Sequence, residues 1–204
     1  MAQPEQTIEN ELRAAGFGAI CGVDEAGRGP LCGPVVAAAC ILPEGVIPVG
    51  LNDSKKLTAK RRDALFDEIR RVAVAYCIAE ASVEEINELN ILEADLLAMR
   101  RAIAGLQIPA DYALIDGNIA RDFPIPARAV IHGDAISASI AAASVLAKVT
   151  RDRECLELDR LYPQYGIAKH KGYGTKLHMD ALRQYGPSPI HRTKFIRFLD
   201  DENR

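Results

Sequence analysis

Two acidic side chains stand next to each other at the end of an apolar run near the N-terminus. Asp24 and Glu25 follow residues 19–23 (AICGV), a run that predicts a short buried strand. Adjacent acids at a strand end are costly unless they bind a cation or share a proton. An exposed turn with two solvated carboxylates is the alternative. The Gly-Arg-Gly at 27–29 favours a phosphate bound beside a metal, because it offers backbone amides and one guanidinium.

Two later apolar runs also lead into acids. Residues 112–115 run directly into Asp116, and residues 127–131 are followed closely by Asp134. A single Asp at a strand end is commonly a helix cap, but three strand ends that deliver four carboxylates predict a metal site at one edge of a sheet. Carboxylate oxygens select hard cations, so we expect Mg²⁺ or Mn²⁺. Zinc is not expected, because the histidines lack ligand spacing; they are His132, His170, His178 and His191.

Such a carboxylate cluster has a recurring use in chemistry on phosphodiesters. Two hard cations about 3.5–4 Å apart activate water and neutralise the leaving oxygen during in-line cleavage. The cations carry the positive charge that a dense row of phosphates requires. The acids therefore indicate metal-dependent phosphoryl transfer.

The charge distribution is uneven along the 204-residue chain, whose net charge is −3. Residues 148–204 contain twelve Lys and Arg against eight Asp and Glu, whereas residues 1–147 contain thirteen against twenty. An acidic body with a basic C-terminal quarter can attract a polyanion to one side. The five cysteines form no Cys-x-x-Cys pair, which indicates buried free thiols in a reducing compartment. Without a signal peptide or a membrane-spanning run, we expect a cytoplasmic protein and no membrane contact.

Hydrophobic periodicity predicts an α/β fold. Strands are predicted at 19–23, 34–42, 72–81, 112–115 and 127–131. Helices are predicted from Thr58, over 82–89, 90–106 and 135–149, and then, after an interruption, over 152–161 and 177–185. The early strands are adjacent and the later ones alternate with helices, which predicts a mixed β-sheet flanked by helices. We divide the chain into an N-terminal extension (1–17), a catalytic domain (18–160) and a basic helical C-terminal segment (161–204).

Five motifs carry a resemblance that spans most of the chain. They are residues 24–31 (DEAGRGPL), 53–57 (DSKKL), 114–117 (LIDG), 140–152 (IAAASVLAKVTRD) and 170–175 (HKGYGT). In this order they resemble bacterial ribonuclease HII, a type 2 ribonuclease H. The resemblance implies a ribonuclease H-like fold whose four metal-binding, catalytic carboxylates are Asp24, Glu25, Asp116 and Asp134.

The resemblance also implies an activity and a substrate. It implies an endoribonuclease that cuts RNA in RNA–DNA hybrids and on the 5′ side of single ribonucleotides embedded in duplex DNA. The products would be 3′-hydroxyl and 5′-phosphate ends, formed with Mn²⁺ or Mg²⁺. Two other functions stay open at this point: another metal-dependent nuclease on the same fold, and a catalytically silent hybrid-binding module. We expect a monomer, and no contact with a replication clamp is evident.

The expected substrate contacts are assigned on the same basis. The backbone at Gly27, Arg28 and Gly29 would approach the ribose 2′-hydroxyl, and the family's tyrosine, here Tyr173, would pack on the next sugar. Glycines are suited to this task because backbone groups reach a 2′-hydroxyl only where no Cβ intervenes. The remaining expected substrate-binding residues are Ser54, Lys55, Lys56 and Lys148. Without the resemblance, an ordinary tyrosine in a turn is an equally good interpretation of Tyr173. Lys55 and Lys56 would ordinarily be solvated charges, but their place directly after Asp53 and Ser54 also suits a phosphate contact.

Two acids need separate treatment. Asp152 lies eighteen residues beyond Asp134, which is about 27 Å along an unbroken helix, so we expect it to be structural and paired with Arg151 or Arg153. Adjacent Asp24 and Glu25 cannot both point to the same face of a regular strand. One of them therefore contributes through its carbonyl or from a distorted strand end.

Overall fold

Five strands form one mixed sheet in the order β3-β2-β1-β4-β5. The computed structural model describes residues 3–52, 54 and 57–201. The strands are β1 (Ile20–Ala26), β2 (Val35–Ile41), β3 (Ala75–Ala81), β4 (Tyr112–Asp116) and β5 (Ala127–Val130). Strands β1–β3 form an antiparallel meander, whereas β4 pairs parallel to both β1 and β5. The predicted mixed sheet is confirmed.

Helices cover both faces of the sheet and extend beyond it toward the C-terminus. They are α1 (Thr7–Ala14), α2 (Ala59–Val72), α3 (Val83–Leu89), α4 (Ile91–Ala104), α5 (Ala138–Leu161), α6 (Ile167–His170), α7 (Lys176–Tyr185) and α8 (Phe198–Asp201). Thr58 caps α2, and Ser82 with Glu85 forms the predicted capping box of α3. No helix of the described residues has the length and apolar character that crossing a membrane requires.

The two long helices pack on opposite faces of β1. Helix α4 contributes Leu96 and Met99 to a buried cluster that contains Val23. Helix α5 approaches the other face so closely that a Cβ on Gly22 would lie 2.1 Å from the backbone nitrogen of Ile140. Only glycine permits this contact, which brings the middle of α5 against the strand that carries the paired acids.

Helix α5 differs from its prediction. A break between residues 149 and 152 was predicted, but the helix is continuous for 24 residues. Its second half is anchored by Arg151 and Cys155, which are buried beneath the C-terminal segment. Charged residues here do not mark a helix end, because tertiary contacts cover this part of the helix.

Two strand boundaries in the structure also differ from the predicted ones. β1 continues through Asp24 and Glu25 to Ala26, because both acids pair in register with β2. The predicted start of β3 at residue 72 was wrong, since Val72 is the last residue of α2. β-Branched residues near an element boundary do not by themselves distinguish a helix end from a strand start.

The segment 1–17 is attached to the sheet domain by buried polar contacts. The Glu9 carboxylate in α1 is fully buried and accepts hydrogen bonds from Ser137 Oγ (2.6 Å) and the Ser139 amide (3.0 Å). Both donors lie at the start of α5, so α1 holds the N-terminus of that helix.

The residues after α5 form a second small core. Tyr165, Ile167 and Leu182 are buried there. They pack together with Cys32 and Cys155, which belong to the preceding part of the chain. Helix α5 ends at Leu161, so the basic segment starts where this long helix stops.

Candidate active site

Asp24 and Asp116 lie at equivalent positions on adjacent parallel strands. Gly22 pairs with Leu114 and Val23 with Ile115, so the next position is Asp24 on β1 and Asp116 on β4. Their side chains project from the same face of the sheet, because residues in register on neighbouring strands share a face. The sheet therefore places two carboxylates side by side.

Glu25 points to the opposite face of β1, as regular strand geometry requires. Asp24 faces α5, where the Ser144 hydroxyl lowers the pKa of its carboxyl and so partly opposes the effect of burial. Glu25 faces α4, and its carboxylate lies 3.5 Å from the Arg28 guanidinium. The two side chains reach one cavity from opposite faces because β1 ends there, one residue after Glu25.

This cavity has a volume of about 260 Å³ and collects most of the predicted site. Its lining includes nine of the twelve predicted residues, namely Asp24, Glu25, Gly27, Arg28, Gly29, Ser54, Asp116, Lys148 and Tyr173. Lys55 and Lys56 lie outside the described residues. Three residues outside this set of twelve, Ser144, Arg151 and Lys171, also line it.

Asp134 lies beside the cavity but is not part of its lining. It belongs to a single 3₁₀ turn, Gly133–Ala135, that follows β5. The amides of Gly133 (2.7 Å) and Asp134 (3.4 Å) face the same oxygen of Asp116. The turn thus fixes the orientation of the Asp116 carboxylate, and Asp134 itself is buried.

Burial and mutual repulsion make these acids difficult to ionise. Burial, followed by the charges of Glu25 and Asp116, holds the pKa of Asp24 well above its ordinary value. Burial also raises the pKa of Glu25, against the opposing effect of Arg28. A bound dication relieves both costs, and the donor set is entirely oxygen. The residues present therefore fit Mg²⁺ or Mn²⁺.

A buried arginine holds the loop between β1 and β2 in place, and the sequence analysis did not identify it. Arg192 is fully buried, and its guanidinium donates to the backbone carbonyls of five residues, Gly27, Arg28, Pro30, Gly33 and Pro34, at 2.6–3.1 Å. Burial and the nearby Arg151 charge lower the pKa of Arg192 to about 10. In the sequence Arg192 is one of twelve basic residues after 147, and no motif distinguishes it.

The structure explains why two positions in this loop are glycine. Gly27 has φ +100°, and a Cβ there would lie 2.8 Å from the Arg151 side chain. A Cβ on Gly29 would lie 3.2 Å from the Tyr173 ring. With the carbonyls turned toward Arg192, the amides of Arg28 and Gly29 donate no hydrogen bond to the described residues. Free amides next to a guanidinium form a suitable site for a phosphate or a hydroxyl.

Asp152 lines the cavity, and its predicted partners were wrong. It pairs with Lys148 (2.7 Å) and Arg62 (3.5 Å) rather than with Arg151 or Arg153. The helix brings Lys148 and Asp152 to one face because they are four residues apart. Arg151, on another face, points instead at the carbonyls of Cys32 and Pro34.

Tyr173 is half exposed at the mouth of the cavity, on a turn that histidines hold in place. His178 Nδ1 lies 3.1 Å from the carbonyl oxygens of both Gly172 and Tyr173, so this nitrogen carries the proton. The Tyr173 amide donates to the His170 carbonyl, and the His170 and His178 rings stack 4.4 Å apart. The orientation of the tyrosine is therefore set by its backbone, and its ring is left exposed to a ligand.

One further group of ligand-type atoms comes together, although sequence spacing did not predict it. Cys32, His178 and His191 place their ligand atoms within 4.8 Å of one another. The ring nitrogens already have hydrogen-bond partners: His191 Nδ1 accepts from the Ser188 amide, and its Nε2 faces His178 Nε2 at 3.1 Å. Burial raises the pKa of Cys32 to about 11, so the thiol stays protonated and the group is a hydrogen-bonded structural cluster.

A mixed five-stranded sheet with carboxylates at the ends of its central strands defines a metal-dependent nuclease of the ribonuclease H-like class. The ribonuclease HII family profile matches residues 21–198, and the chain belongs to that family. It is 57% identical to ribonuclease HII of Caulobacter vibrioides over 189 residues, which cover 93% of this chain and 88% of the relative. It is 58% identical to ribonuclease HII of Paracidovorax citrulli, with 87% and 74% covered.

Solved structures show the same fold. The ribonuclease H2 of Pyrococcus horikoshii OT3 superposes with a TM-score of 0.75 at 29% identity, covering 91% of this chain and 98% of the other. The ribonuclease HII of Archaeoglobus fulgidus, solved in a complex with PCNA, gives a TM-score of 0.74 at 24% identity, with 87% and 95% covered. Bst-RNase HIII, solved with Mn²⁺, gives 0.63 at 20% identity, with 93% and 67% covered.

The family decides among the functions that the sequence left open. The protein is a metal-dependent endoribonuclease that cleaves the RNA strand of RNA–DNA hybrids. The family therefore favours this activity over the two alternatives, another metal-dependent nuclease on the same fold and a catalytically silent hybrid-binding module. The four acids identified from the sequence are the oxygen-rich group around the cavity, with Asp134 at its edge.

Proposed function

We propose that this enzyme cleaves on the 5′ side of single ribonucleotides embedded in duplex DNA, in addition to hybrids, by two-metal-ion hydrolysis. One observation carries the proposal: the carboxylates of Asp24, Glu25 and Asp116 share a cavity with the loop at 27–29 and with Tyr173. The products are 3′-hydroxyl and 5′-phosphate ends.

The acids hold the cations. Asp24 and Asp116 approach from one face of the sheet, Glu25 from the other, and Asp134 completes the set from the turn after β5. Mg²⁺ or Mn²⁺, when bound, supplies the charge that activates water and stabilises the leaving oxygen. The Gly133 amide fixes one oxygen of Asp116, which leaves the other oxygen free to act as a ligand. Burial keeps bulk water from competing with the bound phosphate.

The loop at 27–29 recognises the ribose. A 2′-hydroxyl is donor and acceptor together, so rigid backbone groups can detect it where side chains are too mobile. Arg28 and Gly29 line the cavity, their amides donate no hydrogen bond to the described residues, and Arg192 holds their loop by its carbonyls. Rigid support on the opposite side of the loop preserves the spacing that such recognition needs.

Tyr173 reads the nucleotide after the ribose. Its ring packs on Gly29, so the tyrosine lies directly beside the loop that detects the 2′-hydroxyl. A ring placed against the next sugar favours deoxyribose, because a second 2′-hydroxyl would collide with it. This places the RNA-to-DNA junction between the loop and the tyrosine.

Basic residues around the cavity hold phosphates. Lys148 and Lys171 line it, and the Ser54 hydroxyl, bonded to Ser144 at 2.9 Å, lies in its wall. We keep Lys55 and Lys56 in the proposed set on the strength of the motif. Such contacts position the strand without reading its bases, as a junction-specific nuclease requires.

The test is a nicking assay with three duplexes: DNA with one embedded ribonucleotide, an RNA–DNA hybrid, and all-DNA. Each is incubated with Mn²⁺, with Mg²⁺ or with chelator, and the product ends are mapped. We expect cuts 5′ of the single ribonucleotide, metal dependence, and no cleavage of the all-DNA duplex. Cleavage of the hybrid alone, or a cut on the 3′ side, would contradict the proposal.

A further inference from the structure

Asp95 is a buried acid next to the active site that the chemistry above does not use. It lies in α4, is 2% exposed, and its Oδ1 has no hydrogen-bond partner among the described residues. Its Oδ2 lies 3.4 Å from Arg28 Nε. It does not line the cavity of Asp24 and Asp116, so it is not placed to bind the catalytic metal.

The Arg28 guanidinium lies between two acids, the proposed metal ligand Glu25 and the buried Asp95. Nη1 lies 3.5 Å from Glu25 and Nε lies 3.4 Å from Asp95, and both distances are long for charge-assisted contacts. Arg28 is half exposed and lines the active-site cavity. It also lines a second small cavity of about 20 Å³ together with Asp95 and Asp116, so the side chain extends from the active-site cavity to Asp95.

Arg28 and a metal compete for the same carboxylate. A dication on Glu25 would lie only a few ångströms from the guanidinium, and like charges at that separation repel strongly in a partly buried site. Arg28 must therefore give up Glu25 when metal binds. Without another acid nearby it would lose its only counter-charge at that moment.

We propose that Asp95 is a positioning residue that takes over the Arg28 guanidinium when metal binds at Glu25, so that the arginine does not oppose metal binding and stays beside the substrate loop. The inference rests on the proposed metal site at Asp24, Glu25 and Asp116. The unpartnered Oδ1 of Asp95 is the acceptor that this movement would satisfy, by giving the guanidinium a two-point contact.

A double-mutant cycle on metal binding tests the inference without substrate or turnover. Asp95→Asn keeps the shape and removes the charge, and Arg28→Gln removes the competitor. The Kd for Mn²⁺ is measured by titration calorimetry and by electron paramagnetic resonance for the wild type, both single variants and the double variant.

We expect Asp95→Asn to weaken Mn²⁺ binding about three- to tenfold. Arg28→Gln should tighten Mn²⁺ binding by a larger factor in the Asp95→Asn variant than in the wild type. Glu93→Gln is the matched control, because Glu93 is in the same helix but pairs with Arg121, and it should leave the Kd unchanged. Thermal unfolding of each variant confirms that it is folded.

Two outcomes separate the inference from the site on which it rests. If Asp95→Asn weakens binding by the same factor with and without Arg28, the acid acts through space alone and the handover is wrong. If Asp116→Asn leaves Mn²⁺ binding intact, the proposed metal site itself is overturned, and the inference with it.

Discussion

Arg192 donates a 2.6 Å hydrogen bond to the carbonyl of Gly27, which lies 165 positions earlier in the chain. Through this and its other carbonyl contacts, the basic C-terminal segment supports the loop that follows the paired acids. The segment therefore has a structural role in addition to the expected attraction of a polyanion. Because all these acceptors are backbone carbonyls, the contacts fix the path of the loop whatever side chains it carries.

This contact gives the first prediction. Arg192→Lys keeps the charge but cannot reach carbonyls in several directions, so buried acceptors lose their donors. We expect a loss of about 3 kcal/mol in the free energy of unfolding, and a Tm lower by roughly 10 °C. Differential scanning calorimetry measures both. Arg183→Lys, at an exposed site paired with Asp180, is the control and should change the Tm by less than about 2 °C. Equal shifts in Tm for the two variants would show that the hydrogen bonds of the Arg192 guanidinium are dispensable.

The cleavage activity of an Asp116 variant tests the proposed metal site. Asp116→Asn keeps an oxygen that can accept from the Gly133 amide, so the fold is preserved while the charge is lost. Cleavage of a hybrid at saturating Mg²⁺ should fall by about three orders of magnitude or more, and hybrid binding measured by fluorescence anisotropy should persist. Asp122→Asn, at an exposed position, should leave cleavage unchanged. Near wild-type cleavage by the Asp116→Asn variant would remove this carboxylate from the metal site.

A variant of Asp24 tests how much the clustered carboxylates cost in stability when metal is removed by a chelator. Its pKa is raised in the folded protein, so the folded state binds more protons than the unfolded state between the ordinary Asp pKa, about 4, and the raised value. Stability without metal should therefore fall as pH rises through that window. Asp24→Asn should raise the metal-free Tm at neutral pH and abolish the further rise that Mn²⁺ gives the wild type. A lower Tm for the variant, measured in chelator across this pH range, would mean that the charge is already compensated.

The sequence was informative where function depends on local pattern. Apolar runs predicted all five strands, and the acids that follow them led to Asp24, Glu25 and Asp116, because strand ends on one sheet edge converge whatever the rest of the fold does. Long-range partners were not predictable. Arg192, Asp95 and the histidine cluster gain their roles from contacts with residues far away in the chain, and nothing in their local sequence indicates burial. The expected monomeric state and cytoplasmic location stay predictions.

Lys171 tests the electrostatic hold on substrate. It lines the cavity, whereas Lys176 is 89% exposed on α7 and pairs with Asp180. Lys171→Glu should raise the KM for a hybrid several-fold and reduce the slope of log KM against log salt by about one, because one phosphate contact is lost. Lys176→Glu is the matched control with a smaller effect. An unchanged salt slope for Lys171→Glu would show that this lysine does not contact the duplex.

Tyr173 tests the junction. Its ring lies on Gly29 at the mouth of the cavity, and its backbone is held by His170 and His178, so the aromatic face is offered to the substrate. Tyr173→Ala should lower cleavage at a single embedded ribonucleotide about tenfold or more, and cleavage inside an all-RNA strand far less, because only the first substrate places deoxyribose against the ring. Tyr173→Phe should be mild if packing dominates and severe if the hydroxyl holds a phosphate. Tyr185→Ala, at a surface tyrosine that does not line the cavity, controls for the loss of an exposed ring. Single-turnover rates on matched duplexes decide the matter: if Tyr173→Ala slows both substrates by the same factor, the tyrosine contributes to general binding or folding and does not read the RNA-to-DNA junction.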